Sequence, residues 1–253
     1  MSDQSNSWEK LKAFTDARIA LGRAGGSLQT AELLSFRKDH SLAKDAVWTA
    51  LDTPLLKDEL KKLNLPTLTL SSEAKDRETY IKRPDLGRKL SQESIDVIKN
   101  LNLPTFDISI GIGDGLSANA ISIHAINFLT EFIPQISGFS LAPICLIKQA
   151  RVAISDEIGE LFSSKISIIL IGERPGLSSP YSMGIYLTYN PKAGNTDEKR
   201  NCISNIRAGG LPYFYAAGKL AFLTSEALRL KLSGVDLKDT FDSQLLKNDF
   251  GKQ

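Results

Sequence analysis

The segment KISIILIG, residues 165–172, limits the fold more than any other stretch of the chain. A strand with one wet face alternates apolar and polar residues, whereas this one is almost continuously apolar. It reads as a strand covered on both faces, as the centre of a parallel sheet is. Further strands are expected at residues 106–112, 141–147 and 184–189, and PTLTL at 66–70 alternates like a strand. Helical spacing separates them. Ile121, Ala125, Phe128 and Phe132 share one face after Ser117, and Ser155-Asp156-Glu157 is a helix start. Ala216, Leu220, Leu223, Ala227 and Leu230 line another helix. Strands alternating with helices predict an α/β fold with a doubly wound, mostly parallel (Rossmann-like) sheet over residues 104–253. A mainly helical N-terminal region is expected over residues 1–103. Its helices fall at 8–21, from an N-cap at Thr30 to about residue 50, at 55–63 after Pro54, and from Ser91 to about residue 100. Ligands of such sheets bind outside the carboxyl ends of the strands, so the loops after Ile112 and Ile171 are where function is sought.

Composition excludes several classes. The chain has 253 residues, 42% of them hydrophobic, which is enough for a core and rules out a wholly disordered protein. The net charge of +2 argues against nucleic acid as a partner. The only cysteines are Cys145 and Cys202 and the only histidines His40 and His124, so neither a zinc cluster nor a disulfide scaffold is expected. No apolar run approaches the ~18–20 residues that cross a bilayer. No signal peptide is recognisable at the N-terminus.

Three loops carry candidate chemistry. Gly111-Ile112-Gly113-Asp114-Gly115 starts like a dinucleotide fingerprint, but Leu116 holds the sixth position, where Gly or Ala is needed. A tight strand-to-helix turn is the better reading; a stand-alone nucleotide-binding oxidoreductase is the rival. Asp114 there is placed either to meet a ligand or to cap the next helix. Glu173 and Arg174 emerge directly from the apolar strand, and pairing with neighbours and ligand binding are equally open to them. Cys202 follows a charged turn and has no histidine nearby in sequence, so it reads as a small packing residue rather than a reactive thiol. Residues 82–88 form a basic loop, read as surface or as a grip on an acidic partner. His40 and His124 stand in no nucleophile motif.

Five segments in order, DARIALGRAG (16–25), RPDLGR (83–88), GDGLSANA (113–120), GERPGLSSP (172–180) and RNCISNI (200–206), resemble the small (light) subunit of ethanolamine ammonia-lyase. The resemblance covers residues 13–235. It implies an adenosylcobalamin-dependent lyase that turns ethanolamine into acetaldehyde and ammonia by a radical route. Cobalt–carbon homolysis is followed by hydrogen abstraction from the carbinol carbon and loss of the amino group. It implies a large subunit, a TIM barrel, as partner and bearer of the substrate site, with the small subunit closing over the corrinoid.

By the same resemblance three positions contact the cobalamin: Val152 in RVAISD, Glu173 in GERPG and Cys202 in CISNI. In physical terms a carboxylate at Glu173 accepts from the amide arms of the corrin rim. Val152 offers apolar contact, and the small Cys202 lets the backbone approach. Neither histidine stands in a D-x-H-x-x-G pattern, so the cofactor is expected to keep its own benzimidazole on cobalt. The chain reaches DARIALGRAG almost at once, without the longer N-terminal extension associated with bacterial microcompartments. A cytoplasmic location is therefore expected in place of packaging.

Overall fold

The computed structural model describes residues 10–15, 17–23 and 25–242. Its centre is a six-stranded sheet in the order β1-β3-β2-β4-β5-β6. The strands are β1 (Thr67–Ser71), β2 (Ile108–Gly113), β3 (Ile144–Lys148), β4 (Ile166–Gly172), β5 (Met183–Tyr189) and β6 (Arg200–Ile206). The first four in spatial order run parallel. β5 is antiparallel to β4, and β6 to β5. The expectation of a mostly parallel α/β sheet is thus met, with a correction: the sheet is mixed. The hairpin-like return of residues 173–182 is too short for the crossover that a parallel partner needs.

The seven helices are α1 (Thr30–Trp48), α2 (Thr53–Lys62), α3 (Arg77–Lys82), α4 (Gln92–Asn100), α5 (Ala118–Phe132), α6 (Ile154–Leu161) and α7 (Tyr213–Leu230) among the described residues. Their starts follow local chemistry. Asp52, Asp76, Ser91 and Ser117 each accept a backbone N–H of the first turn. Of the helix expected over residues 8–21, Lys10 and Leu11 are helical and Lys12–Phe14 continue as a 3-10 turn, and the described residues from Thr15 on are not helical. Trp8, its first residue, lies outside the described residues. α1 begins at Thr30 with Gln29 in the cap position, and buries only Ala46.

Every residue of β4 is buried, as its continuous hydrophobicity requires. The two faces of the sheet carry separate cores. Ile108, Ile110, Ile168, Ile185 and Leu187 pack with α2, α5 and α7 on one side. Cys145, Ile147, Ile169 and Ile171 pack with α4 and α6 on the other. On this second side Tyr186 of β5 is only half-buried and Cys202 of β6 is exposed. The antiparallel extension therefore presents an open face beside the start of α6. Among the described residues no helix is long and apolar enough to cross a membrane.

Candidate functional site

Strand alternation builds the open face. Ile169, Tyr186 and Cys202 are register partners across β4, β5 and β6. Ile171 stands opposite Gly184, and two residues beyond it Glu173 leans over the same side. Gly184 makes that possible: a Cβ built there would lie 2.9 Å from Glu173 Oε1. The Glu173 carboxylate is fixed from two directions. Ser182 Oγ donates to Oε2, and so does the Asn205 backbone N–H at 3.2 Å. The Glu173 N–H in turn donates to the Ser182 carbonyl at 2.9 Å. Hydrogen bonds to Oε2 leave Oε1 with lone pairs for an incoming N–H.

Val152, in the turn before α6, faces the same region. It lines a cavity of about 400 Å³ with Glu173, Tyr186, Gly172 and Arg151. The Cys202 thiol completes the surface beside the Tyr186 phenol. Burial pushes the Cys202 thiol above its ordinary value, the nearby Glu173 carboxylate adds to this, and the phenol opposes it. The phenol is itself pushed up by burial and then by Cys202. Such a thiol is protonated and poorly nucleophilic. All three residues singled out from sequence thus converge around Tyr186. Cys202 lies mid-strand rather than in a loop. Sequence reasoning missed Tyr186, Gly184 and Arg151. A glycine inside an apolar strand was the available sign of close approach at Gly184, while Tyr186 needed the strand register.

The glycine loop after β2 is structural. Asp114 is buried and accepts from the Gln149 N–H at 2.9 Å and the Ala150 N–H at 2.8 Å, with Arg77 Nη1 at 3.3 Å. Burial raises its pKa, and Arg77 and these amides oppose the rise. It locks the loop after β2 to the loop after β3. Gly115 has φ +54°, and a Cβ there would sit 2.1 Å from the Gly172 carbonyl, so the two loops touch backbone to backbone. Leu116 N–H donates to that carbonyl at 2.9 Å. These bonds use donors that a pyrophosphate would need, so the glycine loop is a tight turn.

Residues 82–88 are less of a loop than expected. Lys82 ends α3, Leu86–Arg88 form a 3-10 turn, and Arg83 closes on Asp85. His124 is buried, with Nδ1 2.6 Å from Tyr213 Oη and Nε2 3.1 Å from the Tyr181 carbonyl. The carbonyl can only accept, so Nε2 carries the proton and Nδ1 accepts from the phenol. His40 stacks on Phe36 in α1. Neither histidine faces the Tyr186 surface. Among the described residues no group of three or more His, Cys, Asp or Glu side chains is arranged to hold a metal ion.

A family model described as ethanolamine ammonia-lyase light chain matches residues 5–238. The chain belongs to this family. Relatives named ethanolamine ammonia-lyase small subunit agree over nearly full length. The one from Azotobacter vinelandii is 49% identical, covering 94% of this chain and 92% of its own. One from Xanthomonas campestris pv. campestris is 49% identical over 98% of this chain and 93% of its own. One from Pseudomonas fluorescens is 48% identical over 96% and 90%. Within this light chain, the RVAISD, GERPG and CISNI segments are far apart in sequence and share one face of the fold.

Proposed function

We propose that this chain is the small subunit of an adenosylcobalamin-dependent ethanolamine ammonia-lyase, and that its open face covers one side of the corrinoid while a large subunit holds the substrate. The observation that carries this reading is the meeting of Val152, Glu173 and Cys202 around Tyr186 on an uncovered sheet face.

The residues fit the group. Glu173 Oε1 lies over Gly184, where any side chain would displace it, and its other oxygen is already bonded. That is an acceptor held ready for an amide arm of the corrin rim. Val152 and Tyr186 offer apolar contact to a flat macrocycle. The face is a wall and not an enclosed pocket, which matches a coenzyme enclosed by two chains. The coenzyme, when bound, supplies the radical chemistry by which ethanolamine becomes acetaldehyde and ammonia. This chain's part is to orient the corrin edge and keep water from that side. Both histidines are engaged elsewhere, so the chain supplies no imidazole to the cobalt from this face.

The path of the chain supports describing the parallel part of the sheet as doubly wound and Rossmann-like. From β2 it passes to β3 on one side, then crosses to β4 on the other. Such a reversal of direction is where ligands of these sheets bind. We place the protein in the cytoplasm.

The reading is tested by co-purifying the chain with its large subunit and titrating cyanocobalamin. Glu173→Ala is expected to weaken binding by roughly 1–3 kcal/mol, the cost of an unpaired buried polar partner. Unchanged affinity in a well-folded variant, or no deamination when the wild-type chains are combined with coenzyme, overturns it.

A further inference from the structure

A second cavity, of about 300 Å³, adjoins the Glu173 cavity and shares Arg151, Val152 and Tyr186 with it. Its wall also holds Arg88, Arg200 and Asp197. The three arginines of that wall differ in their pairing. Arg200 is answered by carboxylates on both sides, from Asp156 behind it and from Asp197 at 2.6 Å. That takes Asp197, the only acid on the wall. Arg88 and Arg151 make no ion pair with any described residue. The acids of the adjoining cavity bond other groups directly, Asp85 to Arg83, Glu157 to the Leu90 N–H and Glu198 to Thr196, and act on Arg88 only at longer range.

Arg151 is also held in place. Its backbone N–H donates to the Gly87 carbonyl at 2.8 Å, and its Nη2 to the Tyr80 carbonyl at 3.2 Å. Its guanidinium lies 4.2 Å over the Tyr80 ring. Gly87 admits its stem, since a Cβ there would be 2.8 Å from Arg151 Cγ. A guanidinium fixed by stacking, with nitrogen left unused and no direct ion pair, is pre-organised for a tetrahedral oxyanion. The RPDLGR loop brings Arg88 to the same cavity, which gives that motif a role.

We propose that the cavity between Arg88 and Arg151 is a phosphate subsite, binding through charge-assisted hydrogen bonds from the two guanidiniums. The phosphate has two possible sources: the phosphodiester in the nucleotide loop of a cobalamin, or free inorganic phosphate. Only the first source rests on the function proposed above.

Two titrations separate them. In the complex with the large subunit, cyanocobalamin is compared with cobinamide, which lacks the nucleotide loop. If the coenzyme's phosphodiester occupies the cavity, Arg88→Ala weakens cyanocobalamin roughly ten- to a hundredfold and leaves cobinamide unchanged. If free phosphate occupies it, millimolar inorganic phosphate raises the melting temperature of the full chain beyond chloride of equal ionic strength, and Arg88→Ala removes that increment. Arg88 is exposed, so its removal leaves the fold intact, and Arg151→Lys repeats both measurements at the half-buried side of the cavity. Equal losses for the two corrinoids, or none, together with no phosphate-specific stabilisation of the wild type, overturn the proposal. A complex that binds neither corrinoid speaks against the function proposed above and leaves the phosphate titration to decide this one.

Discussion

The Glu173 carboxylate accepts the backbone N–H of Asn205 at 3.2 Å, so the exit of β4 is tied to the end of β6 across the intervening β5. The bare Cα of Gly184 lies beneath that bridge.

Gly184→Ala is a direct probe of this arrangement. The new methyl meets the far end of a flexible side chain, so stability falls by only about 1 kcal/mol. Glu173 Oε1 has to move, and corrinoid affinity of the complex is expected to fall roughly tenfold, the worth of one charge-assisted hydrogen bond. Paired urea unfolding and cyanocobalamin titration check both figures. A large stability loss with unaltered affinity contradicts the role given to Glu173.

Asp114→Ala removes the acceptor of two buried amides and the partner of Arg77. Breaking a buried pair from one side leaves the other charge without compensation, and a loss of roughly 3–5 kcal/mol is expected from chemical denaturation. Adding Arg77→Met recovers part of that loss if the two side chains act as a pair. Strictly additive effects show that they do not.

His124 gives the fold a pH dependence. Burial holds its pKa below the ordinary 6.5, so the folded state stays neutral where the unfolded chain has begun to take up a proton. The unfolded state then binds more protons, so this contribution to stability falls as the pH drops below about 6.5 and levels off above it. Urea midpoints measured from pH 7.5 to 5.5 are expected to decline more steeply in wild type than in His124→Gln. Parallel profiles contradict this.

Hydrophobic pattern located most of the sheet. KISIILIG names β4 to within a residue, because a strand buried on both faces has no polar alternation to blur its ends. The starts of α4 and α5 are legible through Ser91 and Ser117, whose side chains satisfy first-turn amides. β6 was not legible. RNCISNI sits at the sheet edge with half its residues wet, so nothing in its hydrophobicity marks a strand, and only pairing with β5 makes it one. Strand direction escaped for a similar reason. Antiparallel pairing of β5 depends on the turn at 173–182, whose residues read as a ligand loop. Val152, Glu173 and Cys202 came from motif resemblance, and no periodicity links them. Their shared neighbour Tyr186 follows only from register.

α1 has a different standing from the sheet. It runs for nineteen residues yet buries only Ala46, and it leaves Leu34 and Trp48 half in water. Little of its helicity is underwritten by packing, and isolated helices of this length are marginal. Its amides will exchange with deuterium through local fraying, while those of β2 and β4 wait for the whole molecule to open.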